Sequence, residues 1–196
     1  MRTIPALPAL LLAACAHADG DTPIADATVA EALETTQDPT PATDWLIDDI
    51  AHMAAEGGKW VASNEAYMTE NEPFEAYAME WKAGLSPATM TGRLYGVKDG
   101  EPTGDFWRFR QYWHPGKAKA VLEQFGAGGA VGVGTSWPIE GGFESIQTFY
   151  RGGAPARETG HRSNNPDEDI HITESFNIVD GEWKSNRIYM WKRVSD

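Results

Sequence analysis

From residue 59 to the end of the chain, Trp, Tyr, Phe, Val, Ile and Thr alternate with polar residues. A period of two marks strands with one face on a core. Turn formers interrupt the pattern at Asn71-Glu72-Pro73, Lys98-Asp99-Gly100, His114-Pro115-Gly116, Glu140-Gly141-Gly142, Gly152-Gly153 and Asp180-Gly181. Aspartate-glycine between apolar runs is a strong hairpin signal. The breaks predict ten strands, over 59–67, 74–83, 88–97, 104–113, 119–125, 130–137, 143–151, 156–163, 170–178 and 182–193. No gap is long enough for a crossover helix, so neighbouring strands must run antiparallel. A long antiparallel meander loses its exposed edges by closing into an up-and-down β-barrel. Before the strands, Leu46, Ile47, Ile50, Met53 and Ala54 recur at helical spacing. A helix over Thr43 to Glu56 is predicted, capped by Thr43, with Asp44 in its first turn and Gly57-Gly58 at its end. The fold class is therefore all-β: a barrel of about ten strands with one N-terminal helix.

The start of the chain has a different texture. Met1-Arg2-Thr3 is followed by an apolar run from Ile4 to Ala14. That run is too short to span a bilayer, which takes about 20 residues, and it fits a secretory signal. It ends in Leu12-Ala13-Ala14-Cys15, which resembles the lipobox of bacterial lipoproteins at all four positions. The resemblance implies cleavage before Cys15 and lipidation of that cysteine. An ordinary signal cut near Ala16-His17-Ala18 is the alternative. Ala16, rather than aspartate, follows the cysteine, which resembles the enterobacterial rule for outer-membrane export. Residues 16–42 carry Asp19, Asp21, Asp26, Glu31, Glu34 and Asp38, with no lysine, arginine or aromatic residue. Such a stretch cannot bury enough apolar area to offset its ordering entropy. The expected organisation is a signal peptide over 1–14, a lipidated cysteine and disordered acidic tether over 15–42, and a barrel domain over 43–196. The expected location is the bacterial envelope, facing the periplasm, with the membrane reached through acyl chains on Cys15.

A formal net charge of −13 argues against nucleic acid as a partner, since phosphates call for a basic patch. A single cysteine excludes an internal disulfide and a cysteine-rich zinc site. No metal-ligand spacing such as HExxH is present, so no metal is expected.

Gly57-Gly58-Lys59-Trp60 after a short helix, and Asp180-Gly181-Glu182-Trp183 leading to Tyr189, Lys192 and Arg193, resemble the lipocalin and fatty-acid-binding superfamily, the calycins. The likeness is nearest to bacterial lipocalin-like domains of unknown function, and it spans about residues 44–194. It departs from the strict lipocalin start, Gly-x-Trp, and the lipocalin disulfides are absent. The resemblance implies a barrel that holds a small ligand.

Two strands carry suggestive chemistry. Between Asp105 and Trp113, one face presents Phe106, Arg108, Arg110 and Tyr112, and the other Trp107, Phe109, Gln111 and Trp113. Either face supplies the flat apolar walls and sparse polar groups of a small-molecule pocket, or a core strand with cationic stems reaching outward. On the last strand Arg187 and Tyr189 look like the Arg-x-Tyr pair with which fatty-acid-binding proteins hold a carboxylate, and Arg110 and Tyr112 repeat the spacing. A guanidinium can grip a carboxylate with two bonds. It can equally pair with an internal acid. The expected ligand site is Arg108, Arg110, Tyr112, Arg187 and Tyr189 for a polar head, with Trp81, Trp107, Trp113 and Trp191 as walls.

Of five histidines, His161 and His171 fall on adjacent predicted strands. With Asp169 they could form an acid/base site, or they flank a loop over Ser163–Asp167 as solvent-facing groups. Glu144 and Glu174 sit among apolar neighbours and could act as bases if turned inward. The run Gly126–Gly134 fails as a phosphate loop, because no Gly-Lys-Ser/Thr and no helix follow it; it suits a strand that lets another backbone approach. No GxSxG elbow is present. Haem, which ten-stranded nitrobindins bind, ranks low because their glycine-rich signatures are not evident, and no cofactor is expected. The leading functional reading is binding of a small apolar or amphiphilic, possibly anionic, ligand. The alternatives are a barrel-based isomerase or hydrolase with a His/Asp site, and a structural or assembly lipoprotein with a filled barrel.

Overall fold

A computed structural model describes residues 41–195. The signal sequence, Cys15 and the tether as far as residue 40 lie outside the described residues. The described chain is one helix followed by a closed ten-stranded antiparallel barrel. The helix, α1, spans Pro41–Ala54. The strands are β1 (Lys59–Ser63), β2 (Ala76–Ala83), β3 (Thr89–Lys98), β4 (Glu101–His114), β5 (Lys119–Gly126), β6 (Val131–Ile139), β7 (Gly142–Arg151), β8 (Ala154–Asp167), β9 (Ile170–Val179) and β10 (Glu182–Arg193). Each pairs with its sequence neighbours, and β1 pairs with β10 to close the ring.

The expected elements are present, with their ends displaced by a few residues, and three of the differences stand out. The helix begins at Pro41, so Thr43 lies inside it rather than capping it; a proline suits the first turn, where its missing N–H is not needed. The first strand stops at Ser63 instead of 67. There the buried Asn64 pins the chain, its amide donating to the Phe74 carbonyl at 2.9 Å, and residues 65–67 form a 3-10 turn. Third, the expected loop over 163–167 is the end of β8, with a register shift between Asn164 and Asp167. Asp99-Gly100, Gly152-Gly153 and Asp180-Gly181 all have positive φ at both positions, as two-residue hairpins of the right twist require.

The helix lies across the end of the barrel where β8 meets β9 and β10 runs out. Leu46, Ile50 and Met53 are almost fully buried against Trp60, Met79, Trp81 and Met90. Trp60 is wholly buried and donates its indole N–H to the Met53 carbonyl at 2.9 Å. The ring closure is short, with Trp60 opposite Arg193 and Val61 opposite Lys192. Arg193 reinforces it. Its side chain is 2% exposed, its guanidinium stacks 4.3 Å from the centre of the Trp60 ring, and it donates to the carbonyls of His52, Ala55 and Glu168. One side chain thus ties together the closing seam, the end of α1 and the β8–β9 turn.

Replacing Arg193 with methionine keeps much of the stem but strands those carbonyls. Each buried group left unpaired costs about 1–3 kcal/mol. The Arg193→Met protein is expected to lose about 3 kcal/mol in urea unfolding, whereas Arg108→Met, on the outer wall, should lose under about 1 kcal/mol.

Candidate functional site

Strand alternation sorts the side chains of β4. Trp107, Phe109 and Gln111 line the interior, and Arg108 and Arg110 point outward. The interior holds a cavity of about 680 Å³. One wall is apolar: Met79, Trp81, Met90, Leu94, Trp107 and Phe109, with the Trp81 and Phe109 rings stacked 5.2 Å apart. The facing wall is polar: Ser145, Thr159, Ser163, Thr173 and Ser175, with the neutral His161 and His171. Exposed Arg157, Asn177 and Asn186 also line it, so the cavity opens at the end away from α1. The glycines of β6 make room for this packing. A Cβ at Gly134 would meet the Ile146 carbonyl oxygen at 1.8 Å, and one at Gly132 the Phe149 ring at 2.6 Å.

At the α1 end, Asp49 enters the cavity wall from the helix. It is 6% exposed. The Asn165 amide donates to Asp49 Oδ1 at 3.2 Å, and Asn165 Oδ1 lies 2.6 Å from His171 Nδ1. Thr173 Oγ1 lies 2.9 Å from His171 Nε2. These contacts set the polarity of the chain. Asn165 gives its N–H to the carboxyl group, so its oxygen must accept from His171 Nδ1–H, and Nε2 then accepts from the Thr173 hydroxyl. Every donor points towards Asp49. Its second oxygen, Oδ2, is buried without a hydrogen-bond partner among the described residues. Burial pushes the Asp49 pKa up to about 7, against the pull of the Asn165 bond. Burial, with the charge of His52 second, lowers the His171 pKa to about 3. Burial, with the Arg157 charge second, takes His161 down to about 4.

Nearer the open end, Arg187 and Tyr189 meet an acid of the chain itself. Both terminal guanidinium nitrogens of Arg187 donate to Glu72, Nη1 to Oε1 and Nη2 to Oε2, the latter at 2.7 Å. Arg187 also donates to the Tyr189 hydroxyl at 3.1 Å, and that hydroxyl donates to Asn64 Oδ1 at 2.8 Å. The Arg187 bonds, with Tyr77 adding another, hold the Glu72 carboxyl below the usual carboxylate range.

Of the residues expected at a ligand site, Trp81, Trp107, Trp191, Arg187 and Tyr189 line the cavity. Trp113 packs against the core outside it. Arg108, Arg110 and Tyr112 do not line it: Arg108 pairs with Asp105 at 2.5 Å, and Arg110 pairs with Glu123, which Tyr112 also reaches. Both strand faces are half aromatic, and carboxylates on the outer neighbours decide which one the cations take. His161 and His171 share the cavity. Asp169 does not join them; it pairs with Arg193 at 3.2 Å. Both ring nitrogens of His171 are engaged, and a pKa of about 3 makes it a weak base at neutral pH. Glu144 and Glu174 face outward, towards Arg162 and the Ser185 hydroxyl. The residues that sequence reasoning passed over are Asp49, Asn165 and Glu72. Asp49 had a legible signal, an acid in the stripe Leu46, Asp49, Ile50, Met53 that otherwise carries apolar side chains. Among the described residues no cluster of three His, Asp or Glu side chains is placed to hold a metal ion. No known protein family matches the chain, and no curated protein is significantly similar to it.

The buried Asp49 makes stability depend on pH. Between its ordinary value of 3.8 and about 7, the folded protein keeps a proton that the unfolded chain has lost. Stability from this group therefore falls as pH rises through that window. His161 and His171 act oppositely: the unfolded chain takes up protons below 6.5 that the folded protein refuses, so their contribution is lost as pH falls. Asp49→Asn removes the first effect alone. Its stability gain over wild type is expected to grow from near zero at about pH 4 to at most about 4 kcal/mol above about pH 7. Urea unfolding across that range measures it, and a gain independent of pH would contradict the raised pKa.

Proposed function

We propose that the barrel binds one small apolar or amphiphilic molecule in its interior. The observation that carries this reading is the open cavity of about 680 Å³ with an aromatic wall on one side and hydroxyl groups on the other. Its volume falls within the roughly 300–1,000 Å³ of small-molecule sites, and its lining has their mix of apolar walls and few polar groups. A filled barrel would leave no such space. The resemblance of Gly57-Gly58-Lys59-Trp60 and Asp180-Gly181-Glu182-Trp183 to the lipocalin-like calycins supports the same reading. For an anionic amphiphile, Arg157 at the open end is the accessible cation, because Arg187 is already neutralised by Glu72.

The test is native mass spectrometry of the purified protein beside a denatured control, followed by tryptophan-fluorescence titration with fatty acids and alcohols. A stoichiometric adduct lost on denaturation is the expected result. Leu122→Trp, which fills the cavity from β5, should weaken binding at least about tenfold while leaving the melting transition in place. A clean mass with no response to that panel would sink the carrier reading for those ligands.

We also propose that the protein works at a bacterial envelope, held by acyl chains on Cys15. Leu12-Ala13-Ala14-Cys15 supports this, as does the position of the sole cysteine at the lipobox. Each buried CH₂ contributes about 0.8 kcal/mol, so several chains anchor a domain without a membrane helix. In cell fractionation the wild type should sediment with membranes and Cys15→Ser should not; equal partitioning of the two would exclude the anchor.

A further inference from the structure

Resting on the carrier reading above, we propose that the α1 end of the cavity is a hydroxyl-binding subsite, and that the ligand is an apolar molecule ending in an alcohol or phenol. Its O–H would donate to Asp49 Oδ2, and its oxygen would accept from the Trp191 indole N–H.

The argument is one of unmet hydrogen bonds. Asp49 Oδ2 and Trp191 Nε1 are buried side-chain atoms without a partner among the described residues. Both side chains line the cavity and are more than nine-tenths buried. They belong to one end of it, because Trp191 stands opposite His171 in the β9–β10 register, and His171 reaches Asp49 through Asn165. Gln111 Nε2, three residues before the end of β4 and so towards the same end, is a second buried donor without a partner among the described residues.

A buried polar group left unpaired costs about 1–3 kcal/mol, so a ligand is favoured to the extent that it satisfies all of them. An ether or ketone accepts but leaves Asp49 unmet. A carboxylate brings a second negative charge into the part of the cavity that already holds a buried acid. An ammonium donates but has no lone pair for the Trp191 indole N–H. A hydroxyl group does both with a single atom. In that chain the Thr173 hydroxyl is paired with His171 and the His171 Nδ1–H with Asn165, and the Asn165 amide reaches Asp49 at Oδ1 alone, so Oδ2 takes no donor from it.

The experiment is a matched series titrated into the full-length wild-type protein at about pH 8, read by tryptophan fluorescence and isothermal calorimetry: 1-decanol, decyl methyl ether, decanoate and decylamine. At this pH Asp49 is largely ionised, and burial keeps His52 and His171 neutral. Decanol is expected to bind at least about tenfold tighter than the ether and the carboxylate. In Asp49→Asn an amide N–H takes the place of Oδ2 and can itself donate to an ether oxygen. The alcohol and the ether should then bind within about twofold of each other, with the ether affinity kept or raised. Equal affinities in the wild type, or a preference for decanol that survives both Asp49→Asn and Asp49→Leu, overturn the subsite and leave the carrier reading standing. Decylamine as the tightest ligand replaces it with a cation site. No binding by any of the four overturns both readings. If either variant fails to fold, the wild-type series alone still decides.

Discussion

The structure depends on keeping unpaired charge out of the barrel. A cation moved from water into an apolar interior is penalised by several kcal/mol unless a partner comes with it. Strand alternation gives a simple means of obeying that rule, because each residue faces either the lumen or the solvent. On β3 and β4 the rule places Arg93, Arg108 and Arg110 outside, against Glu80, Asp105 and Glu123. It leaves the lumen to rings, methyl groups, hydroxyls and amides. Two cations reach the cavity wall: Arg157 stays exposed at the open end, and Arg187 is met by Glu72 from the β1–β2 connection.

Asp49 stands out against this order. It is a carboxyl group on the buried side of α1, with a donor on one oxygen and, among the described residues, no partner on the other. The helix that carries it also supplies Leu46, Ile50 and Met53 to the core. The element that seals one end of the barrel is therefore the element that presents its buried acid. Sealing and recognition cannot be varied independently there. A change that reseats the helix moves the carboxyl, and a change at the carboxyl alters how well the helix seats.

Much of the fold was legible because its signals are local. Aspartate-glycine and glycine-glycine pairs mark hairpins whose strands begin and end within a few residues of the expected places, and the apolar stripe of α1 marks the helix. The rest was not legible where distant partners decide. Nothing near Ser63 announces that Asn64 will bond to Phe74 and stop β1. Nothing near Arg187 announces Glu72, 115 residues earlier in the chain. The strand around Arg110 carries aromatic rings on both faces, so its inner face was settled only by the acids opposite, Glu123 above all. Asn165 looked like a loop residue because Asn164-Asn165-Pro166 is turn-like, yet the strand continues through it to reach His171.

The two-residue closure between β1 and β10 bears on how this molecule comes into being. Every other strand pair joins neighbours in the sequence, so hairpins can form early at small loop-closure cost. The seam alone must bring together the two ends of the domain, from Trp60 to Arg193, and its entropy cost is met last. Without that seam the ten strands would be an open, curved sheet with two free edges and no lumen. The cavity thus belongs to the closed ring rather than to any single hairpin. Any molecule held inside favours the closed ring over the open sheet by mass action, so for this architecture occupancy and completion of folding are thermodynamically one equilibrium.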